Sequence, residues 1–131
     1  MNAHEAMQAA VVAALKAAGA LGGVAVFDAP PVRAAIPYAV IEPPVLADWS
    51  AKDWRGREGR IAVTAFDGGE RPVRLRVLAG AIEDAVEAIG PPIGAGWRVA
   101  TIRLARSRLA RAGADRWTAT SEFTVRIYRE N

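Results

Sequence analysis

Two stretches of the chain repeat apolar residues at helical spacing, and five others carry short apolar runs or the alternation of a strand. In the first, Met7, Val11, Leu15 and Ala18 recur at steps of four or three within Ala3 to Ala18, which is nearly all good helix former. Asn2 stands as the N-cap, and Glu5 stands three residues on, the spacing of a capping box. Gly19, Gly22 and Gly23 end that helix. The second runs from about Pro72 to Ile89, with Val73, Val77, Leu78, Ala81, Ile82, Ala85, Val86 and Ile89 on one stripe, and Gly90 with Pro91 and Pro92 stops it.

The strand-like segments are Val24–Phe27, Tyr38–Glu42, Arg60–Phe66, Trp97–Leu109 and Trp117–Tyr128. The last has the clearest pattern. Trp117, Ala119, Ser121, Phe123, Val125 and Ile127 share one face, and Thr118, Thr120, Glu122, Thr124, Arg126 and Tyr128 share the other, as in a half-buried antiparallel strand. Pro43 and Pro44 lack backbone donors, so the second strand ends there or runs on as an edge. Residues 47–59, "ADWSAKDWRGREG", are polar and read as a loop. The predicted order is α-β-β-β-α-β-β: an α+β, two-layer sandwich of a mostly antiparallel sheet with two helices packed on one face, a single domain over residues 1–131.

Composition narrows the function more than the fold. A chain of 131 residues with 52% hydrophobic side chains can bury a sizeable core. There is no cysteine, which excludes a disulfide framework, a thiolate metal site and a cysteine nucleophile. The only histidine, His4, lies in the first turn of a terminal helix, a poor place for a catalytic base, and no second histidine is present for zinc. The glycine clusters, including "GPPIGAG" at 90–96, lack phosphate-loop spacing and read as turns. Glu83 and Glu87 share a helix face turned away from the apolar stripe and read as solvated; Asp28 reads as a turn former. No cofactor and no metal are expected, and the chain is not expected to be an enzyme. No apolar run approaches a membrane span, and no basic leader precedes the first helix, so a soluble protein without a membrane partner is expected.

The net charge is +3, and two of the 17 basic residues are lysine (Lys16 and Lys52). The arginines gather between Trp97 and Arg116, where Arg98, Arg103, Arg106, Arg108, Arg111 and Arg116 face Asp115 alone. Such a segment attracts nucleic acid or an acidic protein surface. Trp49 and Trp54 flank Lys52 and Asp53 in the polar stretch. Tryptophans there either fold back as a lid on the core or anchor a partner surface, where Trp and Arg are over-represented.

The whole chain resembles a family of small tail-completion proteins, the tail terminators of long-tailed phages and phage-like gene transfer agents. The stretches that carry the resemblance are "VFDAPP" (26–31), "IPYAVIE" (36–42), the "DW…K…GREG" segment (48–59), "IAVTAF" (61–66), "LAGAIEDAV" (78–86) and the arginine-rich hairpin through "RSRLARAGADRW" (106–117). The turn "AGAD" at 112–115 departs from the Asp-Gly turn of the family. The resemblance implies a structural virion protein, made in the bacterial cytoplasm and assembled into the particle tail. Its partners would be other copies in a ring, typically a hexamer, the tail tube protein whose polymerisation the ring stops, and a head–tail connector or stopper; DNA would pass through without specific binding. A proline-stiffened elbow at 28–37 suits that role, because a pre-ordered loop reduces the entropic cost of assembly. A ring subunit needs two unlike contact surfaces. The candidates are the 47–59 segment, with Trp49, Lys52, Trp54, Arg55 and Arg57, and the hairpin, with Arg106, Arg108 and Arg111. The alternative is a nucleic-acid-binding module using residues 98–116, where arginines with Trp97 and Trp117 would track a strand and stack bases.

Overall fold

The computed structural model describes residues 1–130. Helix α1 spans Ala3–Ala17 and is nucleated by the capping box: Glu5 N–H donates to the Asn2 side-chain oxygen at 2.9 Å, and Asn2 N–H donates to the Glu5 carboxylate at 3.0 Å. A single 3-10 turn, Gly19–Leu21, leads into β1 (Ala25–Phe27), followed by β2 (Tyr38–Ile41), β3 (Val45–Asp48) and β4 (Trp54–Gly68). Helix α2 covers Val73–Glu87, and β5 (Pro92–Gly94), β6 (Trp97–Arg111) and β7 (Arg116–Glu130) complete the chain.

All seven strands join one sheet in the order β1-β2-β4-β7-β6-β5, with β3 also alongside β4. The β1–β2 pair is parallel and the rest are antiparallel. The architecture is α+β with two helices, as expected, but the sheet is a curled, mixed half-barrel rather than one layer of a flat sandwich. Its element order also corrects the expected one, because β3 and β5 add two strands. Part of the curl has a local cause. Strand β6 changes register twice against β7, at Val99/Thr101 and at Leu104/Arg106, and such bulges bend and twist a strand.

The segment 47–59 is not a loop. It is the end of β3, a turn, and the first part of β4. Here β3 pairs with β4 from Val45 opposite Arg60 to Asp48 opposite Arg57. Strand β2 occupies the same side of β4 further along, from Tyr38 opposite Phe66 to Ile41 opposite Val63. Pro43 and Pro44 separate the two, and pairing resumes one residue out of step. The two glycines of "GREG" make the second pairing possible: a Cβ on Gly59 would overlap the Val45 carbonyl, and one on Gly56 would overlap the Trp49 carbonyl.

The core lies between the helices and the inner face of β2, β4 and β7. Alternate residues of β4 (Ile61, Val63, Ala65) and β7 (Ala119, Phe123, Val125, Ile127) are buried against Met7, Val11 and Leu15 of α1. Helix α2 presents Leu75, Leu78, Ala79, Ile82 and Val86 to that core. The stripe anticipated from Val73 and Val77 is therefore rotated; Leu75 takes the inner position, and Val73 and Val77 are 53% and 67% exposed. At about 1.5 Å per residue a 15-residue helix covers roughly 22 Å, whereas a 15-residue strand at about 3.3 Å spans nearly 50 Å. The three long strands thus outrun the helices.

Candidate assembly surfaces

The sheet face turned away from the helices is built from cross-strand rows set by the register. One row runs Tyr38, Phe66, Thr118, Ala110, and the next Val40, Thr64, Thr120, Arg108. Ala62, Glu122 and Arg106 follow; then Val45, Arg60, Thr124, Arg103; then Ala47, Glu58, Arg126, Thr101. The face is therefore apolar at one end and charged along its middle. Glu122 takes Arg106 at 3.1 Å and Arg60 at 3.9 Å, and Glu58 takes Arg126 at 3.1 Å. These exposed pairs add little stability individually, but they fix which arginines stay available. Arg103 and Arg108 are exposed and, among the described residues, have no carboxylate within 4.0 Å.

At the far end of this face the turn between β3 and β4 folds an aromatic group onto the sheet. Trp49 and Trp54 meet edge to face at 4.9 Å between ring centroids, and Trp54 meets Tyr128 at 6.3 Å. The Arg126 guanidinium lies 4.9 Å over the Trp49 ring. The absence of a side chain at Gly56 leaves room for the Trp54 ring. Ser50 pins the turn by accepting from Gly56 N–H at 3.0 Å and donating to Asp48 at 2.6 Å. Trp49, Trp54 and Tyr128, with Asp53 and Glu130, line a cavity of about 530 Å³.

The opposite end of the sheet holds a tighter electrostatic element. Asp67 is 2% exposed at the end of β4 and accepts from the Arg74 side chain of α2 and from Gly68 N–H. The Arg74 hydrogen bonds hold its carboxyl below the usual carboxylate range against the opposing effect of burial. The pair clamps the start of α2 to the sheet.

The family model for the tail completion protein gp17 matches residues 7–128, nearly the whole chain. The chain belongs to the tail completion protein gp17 family. It also matches a chain in a solved structure described as "Virion of native gene transfer agent (GTA) particle", with 28% identity, a TM-score of 0.83, and coverage of 98% of this chain and 99% of that one. No curated protein sequence matches it. As a tail completion protein it is a structural component of the tail of a phage-like particle.

In this tail completion protein the residues singled out from the sequence fall into two separate places. Trp49, Lys52, Trp54, Arg55 and Arg57 surround the β3–β4 turn. Lys52 and Arg55 are exposed, whereas Arg57 is partly buried, donating to Asp48 at 3.2 Å and to the Gly56 carbonyl at 2.7 Å. Arg106, Arg108 and Arg111 lie along β6, and only the first two share the helix-free face. Arg111 sits on the other face, 4.8 Å over the Trp117 ring. The register partners of Trp54 and Arg111 on β7, Glu130 and Trp117, are roughly 40 Å apart at about 3.3 Å per residue. The two surfaces are thus distinct.

Several contributors were passed over in the sequence. Tyr128, Arg126, Asp53 and Glu130 complete the aromatic end, and the outward alternation of β7 already carried the first two. Glu83 and Glu87 are not simply solvated: Ser121 donates to Glu83 at 3.5 Å, and Leu104 N–H on β6 donates to Glu87 at 3.1 Å. His4 is exposed in the first turn of α1. Trp97 is 3% exposed, with the guanidiniums of Arg57 and Arg129 at 5.9 and 5.0 Å from its ring centroid. It is not open to a stacking base.

Proposed function

We propose that this tail completion protein acts as a tail terminator: copies close into a ring, typically a hexamer, on the last ring of the tail tube, stop tube polymerisation and present a surface to the head connector. The observation that carries this reading is the aromatic end of the helix-free sheet face, where Trp49, Trp54 and Tyr128 border a cavity beside Arg126. Interface anchors are drawn from these residue types, with Trp, Tyr and Arg dominating the binding energy. The arginines of β6 lie at a distance from it, and this supplies the second, unlike surface that a heterologous ring contact needs. The protein does its work as a scaffold without catalysing a reaction, and DNA passes the ring without specific recognition.

The test is assembly. The purified chain, alone and with tube protein, should give a discrete ring by native mass measurement and negative-stain imaging. Particles made without it should carry tubes of uncontrolled length or tails without heads. Tails of normal length and attachment in its absence would overturn the reading.

A further inference from the structure

The aromatic end leaves unexplained a second concavity, at the opposite corner of the same face, walled by Pro30 and Pro31 of the elbow. Residues 28–31, with β2, Pro43 and part of β4, border a cavity of about 340 Å³. Its floor is apolar: Tyr38 stacks on Phe66 at 4.7 Å, and Val40 stands beside them. Its wall is Pro30 and Pro31, and its rim carries two exposed carboxylates, Asp28 and Glu42. Among the described residues neither has an ion-pair partner within 4.0 Å. An aromatic and apolar floor beneath free carboxylates is the environment that an arginine side chain fits, with its stem on the rings and its guanidinium at the rim.

We propose that this pocket receives Arg108 of the adjacent copy in the ring, an inference that rests on the ring reading above. The two edges of the sheet are complementary in charge. Strand β6 carries five arginines and no carboxylate, while residues 25–48 carry Asp28, Glu42 and Asp48 against Arg33 alone. The register sets the heights. Arg108 stands in the same cross-strand row as Thr120, Thr64 and Val40, and the latter two line the pocket. With the ring axis taken along the strands, the cyclic operation carries a subunit sideways without raising it. Arg108 on one edge then meets the pocket on the far edge of the next copy. Within one chain β7 and β4 lie between them, so Arg108 does not serve its own pocket. Arg106, held by Glu122, is not the free donor.

The test uses the full chain with charge reversals at two exposed positions. Arg108→Glu and Glu42→Arg should each melt like wild type, yet each should raise the concentration needed for ring formation by about tenfold or more, because each juxtaposes like charges. An equimolar mixture of the two should assemble again. In alternating order, the glutamate introduced in one variant meets the arginine introduced in the other, and at the remaining contacts Arg108 meets an intact pocket. Native mass measurement should show equal numbers of the two variants. Rings formed by either variant alone as readily as by wild type, or no rescue on mixing, would overturn the pocket assignment and leave the ring reading standing. A wild-type chain that stays monomeric with and without tube protein would overturn both.

Discussion

Asp67 at the end of β4 receives the Arg74 guanidinium side-on, Nε at 2.7 Å and a terminal nitrogen at 2.5 Å, on a carboxylate that is almost wholly buried. Its folded-state pKa is lowered, chiefly by the Arg74 hydrogen bonds. The contribution is therefore present above the unfolded carboxylate value, about 3.9, and is lost as pH falls through the lower folded value. Thermal melts of wild type should become steeply less stable on acidification below about pH 4, and Asp67→Asn should flatten that slope while melting lower at neutral pH. Arg74→Ala should be the worse change at neutral pH, since it strands a buried charge. Parallel acid slopes for wild type and Asp67→Asn would contradict the assignment.

Gly59 and Gly80 should respond in opposite directions. A side chain at Gly59 meets the Val45 backbone, so Gly59→Val should cost about 1–3 kcal/mol as overpacking does and remove hydrogen-exchange protection from β3 first. Gly80, within α2, has nothing within 4 Å of an added Cβ. Gly80→Ala should raise stability by about 0.5–1 kcal/mol. Urea melts of the two variants against wild type check both signs.

Trp49 and Trp54 are only partly buried, and their edge-to-face contact is worth about 0.5–1.5 kcal/mol beyond burial. Trp49→Ala should therefore leave a folded chain by circular dichroism with a modestly lower melting temperature. If the aromatic end is an interface, the same change costs about 2 kcal/mol or more at each contact, and the ring repeats the loss. Tails should then be overlong or headless. Normal tails with a destabilised monomer would instead assign the pair to packing alone.

DNA binding should be weak and should vanish near physiological salt in a shift assay. Glu122 and Glu58 already occupy Arg106, Arg60 and Arg126, and Trp97 is enclosed. The remaining arginines give only sequence-independent, screened attraction. Tight binding that survives salt would favour the nucleic-acid alternative.

Elements with a local signature were legible in the chain. Asn2 and Glu5 announced α1, and the strict alternation from Trp117 to Tyr128 announced β7 and which face it buries. The first half of β4 was not legible, because the positions it presents are glycine, polar or only half-buried. With Gly56 alone fully buried and Trp54, Arg57, Glu58 and Gly59 half-buried, "DWRGREG" has no apolar period to display, and its strand character rests on Gly56 and Gly59 admitting β3. Val73 and Val77 misled for a related reason: a helical stripe shows which residues are apolar but not which way the helix is turned, and Leu75 decides that. The parallel β1–β2 pairing and the convergence of Trp54 with Tyr128 depend on partners distant in the chain. Of the candidate interface residues, the tryptophans were found by their type, whereas the availability of Arg108 and the engagement of Arg106 depend on Glu122, a strand away.

The pairing of β4 with β7, unbroken from Trp54 opposite Glu130 to Gly68 opposite Arg116, also has a mechanical consequence. Antiparallel hydrogen bonds lie across the strands, so a pull applied along them at opposite ends loads the whole ladder in shear instead of opening it one rung at a time. A subunit whose longest strand pair lies parallel to such a load would resist it as a strap does, while the same bonds pulled from the side would unzip.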